Sequence, residues 1–388
     1  MEVAFINENT LGHASYLLPF VEMFGQRPEL GIRPHLINAT PLPPSLEWRA
    51  NGTVPGLRRW GLDFHNARWR LTASRCARDQ LRQLRRRQHL DAVVVNTQSV
   101  ALALLDLRPE LPLVVSLDAT FEQLARSAWF APNPISRRLL PLTLAPLRRR
   151  ERLLFQNASR LLPWSGSVRQ SLLDDYALTP DRITLLPPSV TLPPPRSSRR
   201  PAAGRPQILF VGGDFQRKGG PLLVECFRER LADRCELHLV THSAVPAQPG
   251  LNVHRTLTPR SPGWQERWEQ AAVFAFPSTL ETFGIVLLEA LAFEVPVVSA
   301  DVGAAREVLA DGRAGWLLPE RTPADLARAI SEALDQPAVA AAKVNYGRQQ
   351  IQRAYDLGAN AEKLAAELTH CVARPPRRSA PPAPTARP

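Results

Sequence analysis

The chain of 388 residues is 44% hydrophobic and 22% charged, which is the composition of a soluble globular protein long enough to build two cores. It contains no apolar run of the roughly 20 residues that a membrane-spanning helix needs and no N-terminal signal peptide, so we expect a cytoplasmic protein. The net charge of +12 rests on 48 basic residues, of which only Lys218, Lys343 and Lys363 are lysines. The four cysteines show neither CxxC spacing nor histidine partners, which argues against a disulfide framework and a metal site.

In the first half of the chain, short apolar runs alternate with helical stretches, a pattern typical of parallel α/β sheets. Strands are predicted at residues 3–6, 91–95, 112–116 and 160–163. A polar turn that contains Gly12 follows the first of them.

Arginines cluster in this half, at residues 85–87 and 148–150, and others stand beside Trp60 and Trp69. Basic side chains next to tryptophan suit an anionic membrane surface or an acidic acceptor, so peripheral contact with the inner membrane is one expectation. An arginine-rich solvated surface is the alternative. No nucleic-acid recognition motif is present, so nucleic acid is not an expected partner.

The composition changes sharply at residues 191–206, where proline and arginine dominate. We interpret residues 1–190 as a first domain, 191–206 as a linker and 207–345 as a second α/β domain. Strands of the second domain are predicted at residues 207–211, 237–240, 273–276 and 295–298. A terminal helix is predicted over residues 346–372 and a disordered tail over 373–388.

A glycine-rich loop follows the first strand of the second domain and precedes a helix, with Gly212, Gly213 and Lys218 in it. Glycines let backbone amides approach an anion, and the next helix presents its positive end. A lysine is notable in a chain that otherwise uses arginine, because a compact ammonium suits a crowded diphosphate. Lys218 and its neighbour Arg217 are therefore candidates to stabilise a diphosphate leaving group.

Two glutamates eight residues apart form the second candidate site. Glu281 stands at or just before a predicted helix, where free backbone N–H groups and the helix dipole favour anions. Glu289 lies within that helix, which is apolar almost all round, and a carboxylate there is costly to bury unless something hydrogen-bonds to it. The pair predicts a site for a polyhydroxylated ligand.

The pair Glu281-x7-Glu289, with the segment Val295-Pro-Val-Val-Ser-Ala-Asp-Val-Gly303 after it, resembles the signature of glycosyltransferase family 4. The resemblance implies the α/β fold called GT-B, with two Rossmann-like domains facing a cleft and a C-terminal helix crossing back to the first domain. It also implies retaining, metal-independent transfer from a nucleotide sugar, with Glu289 on the ribose and Glu281 on the sugar. The implied donor-binding residues are Gly12, Gly212, Gly213, Phe283, Gly284, Ile285 and Glu289.

Several positions can be compared with the family pattern. Lys218 matches the family's diphosphate lysine, whereas Gly213 stands where the family has an arginine, so Arg217 is a candidate to supply that charge. His13, beside the glycine loop, is a candidate on the acceptor side. Asp118 occupies a position where many relatives carry a histidine facing the transferred sugar, and it is a further candidate catalytic residue.

The sequence therefore predicts a hexosyltransferase that acts on a glycan or lipid-linked acceptor of the envelope-polysaccharide type and uses no cofactor. One alternative is a non-catalytic protein that binds sugar nucleotides with the same fold. A second is a basic scaffold that binds polyanions. A third is a GT-B epimerase, against which the pattern around Glu281 and Glu289 argues.

Overall fold

A computed structural model of the chain describes residues 1–10, 12–52, 56–57, 62, 64–107, 111–127, 130, 133–193, 204–259 and 261–373. The chain folds into two compact units. The first comprises Met1–Trp164 and Val168–Leu186, together with the described residues from 361 onward. The second comprises Ser165–Ser167 and Pro187–Asn360, so Leu186 is the last residue of the first unit before the predicted linker.

The first unit is built on a five-stranded parallel sheet. Its strands are β1 (Glu2–Asn7), β2 (Arg33–Asn38), β3 (Ala92–Asn96), β4 (Leu113–Leu117) and β5 (Arg160–Pro163), in the order β2-β1-β3-β4-β5. Its helices are α1 (His13–Gln26), α2 (Pro44–Asn51), α3 (His65–Arg87), α4 (Phe121–Arg126), α5 (Pro134–Asn157) and α6 (Gly166–Asp174), the last of which belongs to this unit from Val168 onward. The three central strands are buried along almost their whole length, as expected where helices cover both faces of a parallel sheet.

The second unit is built on a six-stranded parallel sheet. Its strands are β6 (Gln207–Val211), β7 (Glu236–Val240), β8 (Leu251–His254), β9 (Ala271–Phe276), β10 (Val297–Ala300) and β11 (Trp316–Leu318), in the order β11-β10-β9-β6-β7-β8. Its helices are α7 (Gly220–Arg230), α8 (Trp264–Gln270), α9 (Ile285–Ala292), α10 (Ala305–Val308), α11 (Pro323–Asp335) and α12 (Pro337–Gln350). A separate apolar core lies under this sheet, built on Phe210, Phe227 and Ile330 among others.

Three strands, β2, β8 and β11, carry no prediction from the sequence. All three stand at the edge of their sheet. In strand β2 only Ile37 is buried, and the strand contains Pro34, while β11 has only three residues. Edge strands are covered less than central ones and tolerate proline, so their apolar signal is weak.

The C-terminal helix differs from the prediction of one helix over residues 346–372. Helix α12 begins earlier, at Pro337, and passes into a π-helical turn over Ile351–Tyr355. A new helix, α13 (Leu357–Ala373), follows. The chain returns to the first unit within α13, where Glu362 pairs with Arg27 at 2.9 Å.

Part of the predicted linker, residues 194–203, and residues 374–388 of the predicted tail lie outside the described residues, as do Arg58, Arg59 and Trp60. Ala373 ends α13 instead of opening a disordered tail. Over the part of the chain that the structure describes, no helix has both the length and the apolar character needed to cross a bilayer.

Candidate functional site

The glycine-rich loop joins β6 to α7 at the carboxyl end of the second sheet. Gly212 is buried, and a Cβ atom there would lie 2.9 Å from Cγ of Lys218 and 3.0 Å from the ring of Phe210. Gly219 precedes α7 with a φ of +77°, and a Cβ atom on it would lie 2.0 Å from the carbonyl oxygen of Pro277. Glycine at these two positions therefore allows the tight turn and leaves room for the stem of Lys218.

Arg217 and Lys218, near the end of this loop, share the carboxylate of Glu281. Arg217 Nη1 donates to Glu281 Oε1 at 2.7 Å, and Lys218 Nζ lies 2.5 Å from the same oxygen. Arg217 also donates to the carbonyl of Leu280 at 2.8 Å and, from Nε, to Asp214 at 3.1 Å. Glu281 is only 8% exposed, whereas Asp214 is 48% exposed, so Glu281 is the inner partner of the two cations and Asp214 the outer one.

Burial and the carboxylate of Glu281 shift the pKa of Lys218 in opposite directions. Burial lowers its pKa below the ordinary value, Glu281 raises it, and neighbouring Arg217 lowers it again. The ammonium also lies 5.1 Å from the centre of the Phe276 ring, in a cation–π contact. A bound anion would favour the charged form of this lysine, which is the behaviour expected of a phosphate-binding group.

Glu281 lies on the loop that leads from β9 to α9. Gly284 ends this loop with a φ of +90°, a conformation that favours glycine, and the half-buried Ile285 begins the helix. The ring of Phe283 is buried and packs edge-on against Tyr355, with 6.4 Å between ring centres. A ligand next to Phe283 would therefore meet its backbone rather than its ring.

Glu289 lies in the second turn of α9. Its side chain is half-buried, and no hydrogen bond or ion pair engages it among the described residues. Burial raises the pKa of this carboxyl to about 7. A carboxyl whose pKa is raised by burial is stabilised by any ligand that donates hydroxyl hydrogen bonds to it.

In the first unit, His13 lies between two carboxylates. Its Nε2 is 3.1 Å from Asp118 Oδ2, and its Nδ1 is 3.3 Å from Glu8 Oε2. His13 begins α1, Glu8 directly follows β1, and Asp118 directly follows β4. Because parallel strands end at the same edge of a sheet, three residues that are far apart in the sequence meet there.

The cluster is held in a charged state. Thr10 and Thr97 donate to Glu8 at 2.9 and 2.5 Å. Burial opposes the charge of Glu8, but His13, Thr97 and the more distant Arg70 outweigh it and lower the pKa to about 2. Burial likewise opposes the charge of His13, and its two carboxylate neighbours raise its pKa well above the ordinary value. At neutral pH the cluster therefore holds an imidazolium between two carboxylates.

The structure brings five of the predicted site residues into contact, in two groups. His13 and Asp118 are in contact in the first unit, next to Gly12, which precedes α1 and is exposed. Arg217, Lys218 and Glu281 are in contact in the second. Gly213 is exposed on its loop, and a Cβ atom added there would come no nearer than 4.0 Å to His242.

Sequence reasoning missed Glu8, Thr97 and Arg70. The polar residues after the first predicted strand are a signal that could have found Glu8. No pattern in the neighbouring sequence points to Thr97 or Arg70. Thr97 comes close to Glu8 only because β1 pairs with β3. Arg70 lies on α3, with its guanidinium 5.1 Å from the centre of the Phe130 ring.

Two protein-family models match consecutive parts of the chain. Residues 22–192 match the family model described as Glycosyltransferase Family 4, and residues 205–336 match the one described as Glycosyl transferases group 1. The two matches follow one another along most of the chain and include both clusters except Glu8, Thr10 and His13. The chain belongs to glycosyltransferase family 4.

Curated relatives of this family 4 chain include two D-inositol 3-phosphate glycosyltransferases. The one from Geodermatophilus obscurus is 32% identical over 208 residues, which cover 46% of each chain. The one from Kineococcus radiotolerans is 29% identical over 290 residues, which cover 65% of this chain and 64% of the relative. The chain thus aligns with about half to just under two thirds of the length of these relatives.

Solved structures establish the fold. The sucrose-phosphate synthase of Thermosynechococcus elongatus superposes with a TM-score of 0.71 at 17% identity and covers 96% of this chain and 99% of its own. WaaG, a glycosyltransferase involved in lipopolysaccharide biosynthesis, superposes with a TM-score of 0.63 at 18% identity and covers 95% and 99%. The fold of this family 4 chain is accordingly GT-B, built from two Rossmann-like α/β domains.

Proposed function

We propose that the protein is a retaining, metal-independent hexosyltransferase that uses a nucleotide-diphosphate sugar. The observation that carries the proposal is the convergence of Arg217 and Lys218 on one oxygen of Glu281, beside a glycine-rich loop at the carboxyl end of the second sheet. Two cations in this position suit the diphosphate of a leaving nucleotide. The names of the relatives support a sugar-transfer reaction.

In the proposed step, the bond between the anomeric carbon and the diphosphate oxygen breaks while the acceptor oxygen bonds to that carbon from the same face. The proton of the acceptor hydroxyl passes to the departing phosphate oxygen. Arg217 and Lys218 stabilise the charge that develops on the diphosphate, a role that a metal ion has in other enzymes. Glu281 orients both cations through Oε1 and offers Oε2 to a hydroxyl of the sugar.

Glu289 provides the nucleoside end of the proposed site. A half-buried carboxyl that has no partner among the residues the structure describes can accept hydrogen bonds from the two hydroxyls of a ribose. These hydrogen bonds would compensate for the cost of burying the carboxylate. Solved relatives in this fold include Anabaena HepE in complex with UDP, which places UDP first among the nucleotides to test.

The first unit would receive the acceptor, a glycan or lipid-linked molecule of the envelope-polysaccharide type. His13 and Asp118 would contact it, because they form the polar cluster at the carboxyl end of that sheet. The relatives named for D-inositol 3-phosphate make this compound a second acceptor to test.

Helix α5 supports a peripheral position at the membrane. Ile135, Leu142 and Leu153 are 53, 63 and 42% exposed, and their spacing of 7 and 11 residues places them on one face of the helix. The exposed Arg138 and Arg149 lie beside this stripe. An apolar stripe flanked by arginines fits the interface of an anionic bilayer.

Vesicle flotation tests the membrane part of the proposal. We expect the protein to float with vesicles that contain phosphatidylglycerol and not with pure phosphatidylcholine vesicles. Leu142→Glu should abolish flotation, while Val339→Glu, at a residue 41% exposed in the second unit, should leave it unchanged. Equal flotation of both variants would contradict a role for α5.

A transfer assay tests the reaction. The protein is incubated with UDP-, GDP-, ADP- and dTDP-hexoses and an acceptor panel, and release of the nucleotide and the anomeric configuration of the product are measured by NMR. We expect transfer with the α-configuration retained from an α-linked donor and unchanged in EDTA. An inverted product, or activity that EDTA abolishes, would overturn the proposed mechanism.

A non-catalytic sugar-nucleotide-binding protein is the second candidate, favoured by Gly213 and Asp118, which stand where the family has an arginine and a histidine. It predicts nucleotide binding that depends on Lys218 but no release of nucleotide from any donor. A basic polyanion scaffold predicts instead steeply salt-dependent binding that ignores Lys218. The transfer assay and nucleotide binding together separate the three.

A further inference from the structure

Glu151 is a fully buried carboxyl that the proposed reaction does not use. It lies on α5 with no exposed surface. The backbone N–H of Phe121 lies 3.0 and 3.2 Å from its two oxygens, Gln98 Nε2 donates to it at 3.3 Å, and the hydroxyl of Tyr176 donates to Oε2. Leaving any of these buried polar groups unpaired would cost free energy. The complete set of partners therefore indicates that Glu151 has a specific structural role.

These partners belong to the turn that follows β4. Phe121 begins α4, and its N–H is one of those that a helix leaves unpaired at its first turn. Gln98, which donates to Glu151, also donates to the carbonyl of Ala119 at 2.6 Å. Thr120 contacts the hydroxyl of Ser171 at 2.8 Å. Residues 119–121, which we call the β4 turn, are therefore each held by a hydrogen bond.

Asp118 stands immediately before the β4 turn. Its Oδ2 reaches His13 Nε2 at 3.1 Å, and the direction of its side chain depends on the backbone that the turn fixes. We infer that Glu151 is a positioning residue: by accepting the Phe121 N–H and anchoring Gln98, it holds the β4 turn so that Asp118 pairs with His13. A consequence for catalysis rests on the proposed function, but the positioning itself does not.

Glu151 would act through hydrogen bonds and shape rather than through charge. Burial raises its pKa to about 8, against the hydrogen bonds from Tyr176, Phe121 and Gln98, so the carboxyl is mostly neutral at pH 7. A glutamine of the same shape still presents a carbonyl oxygen to the Phe121 N–H. We therefore expect Glu151→Gln to keep the turn in place, whereas Glu151→Ala removes the acceptor and leaves three donors without it.

The test measures the pKa of His13 by NMR of the imidazole ring protons. The His13 signals are assigned from their loss in His13→Gln. Glu151→Ala should lower the pKa of His13, because Asp118 moves away from the imidazolium. Glu151→Gln should leave it close to that of the wild type. Leu154→Ala, a truncation of a buried residue on the same helix, should lower the melting temperature without moving the His13 titration.

An unchanged His13 titration in folded Glu151→Ala would overturn the inference, and so would an equal shift in Leu154→Ala. If Glu151→Ala does not fold, Gln98→Ala replaces it, since it removes the contact with Ala119 and leaves the carboxyl in place. It must then lower the pKa of His13, and an unchanged value would overturn the inference.

Transferase activity provides a second test. Misplacing a side chain at the reacting centre by about 1 Å costs on the order of 100-fold, so Glu151→Ala should reduce kcat about 10- to 100-fold with the donor KM nearly unchanged. Glu151→Gln should recover most of the loss. The His13 titration needs neither donor nor acceptor, so failure of the proposed transferase activity and failure of this inference give different results.

Discussion

The two units carry opposite arrangements of charge at the carboxyl ends of their sheets. In the first, one cation, His13, lies between the carboxylates of Glu8 and Asp118. In the second, one carboxylate, Glu281, lies between the cations of Arg217 and Lys218. The first arrangement fixes an imidazolium and leaves carboxylate oxygens to accept hydroxyl hydrogens. The second presents cationic donors to an anion. Under the proposed function, the same α/β architecture would build a site for hydroxyl groups in one unit and for phosphate in the other.

Removing Lys218 should give the largest loss of activity. Loss of one electrostatic group that acts on the developing charge typically costs 100- to 1,000-fold in kcat, so Lys218→Ala should reduce transfer by about that factor. The control is Lys363→Ala, an exposed lysine of α13. Steady-state kinetics at saturating acceptor measure both. Near wild-type turnover in Lys218→Ala would mean that the cations of the second unit do not serve the leaving group.

Replacing His13 should give the largest loss of stability. His13→Gln leaves Glu8 and Asp118 facing each other without the cation between them, which should lower the free energy of unfolding by about 3 kcal/mol at pH 7. Urea denaturation measures this, with His89→Gln at a residue 82% exposed as the control. The second substitution Glu8→Gln should restore part of the loss. If both single histidine variants are equally stable, the imidazolium does not hold the cluster together.

Glu289 should make nucleotide binding depend on pH. Its pKa is about 7 in the free protein, and hydrogen bonds donated by a ribose favour the ionised form and so lower the pKa in the complex. Nucleotide affinity should therefore rise with pH and level off above pH 7, by up to about 30-fold between pH 5.5 and 8. Isothermal titration measures it. Since the phosphates also titrate, Glu289→Gln is the reference, and an identical pH profile in both proteins would remove Glu289 from the site.

Asp214 should give the smallest effect, in the opposite direction. It holds Arg217 from the solvent side and would compete with a bound diphosphate for the guanidinium. Asp214→Asn should increase nucleotide affinity about two- to fivefold, as expected for loss of an exposed ion pair. Glu229→Gln, an exposed residue of α7, is the control. Weaker binding in Asp214→Asn would show that Asp214 orients Arg217 instead of competing for it.

The sequence predicts the second unit's cluster better than the first unit's. Arg217 and Lys218 stand in a loop whose glycines mark a close approach, and Glu281 and Glu289 share one short segment, so local spacing was enough to find them. Glu8 and Glu151 are different, because their contacts cross 5 to 50 or more residues and depend on which strands pair and how α5 packs. Glu151 in particular looks like an ordinary acidic residue in an arginine-rich helix until α4 and α5 are seen together.

The fold shows the same division. Strand β3, a run of three valines, is unmistakable because it is buried throughout, whereas the edge strand β2 reads as a polar segment with a proline. The sequence also has no proline at the break between α12 and α13, where the π-helical turn over Ile351–Tyr355 ends at the extended residue Asp356.

The most direct test of the central claim, that the second unit binds a nucleotide diphosphate through its two cations, is thermal unfolding in the presence of UDP, GDP, ADP or dTDP. A ligand at 100 times its Kd stabilises the folded protein by about 2.7 kcal/mol, so the melting temperature should rise clearly with at least one nucleotide. The rise should disappear in Lys218→Ala and persist in Lys363→Ala. No shift with any nucleotide, or a shift that Lys218→Ala retains, would contradict the account.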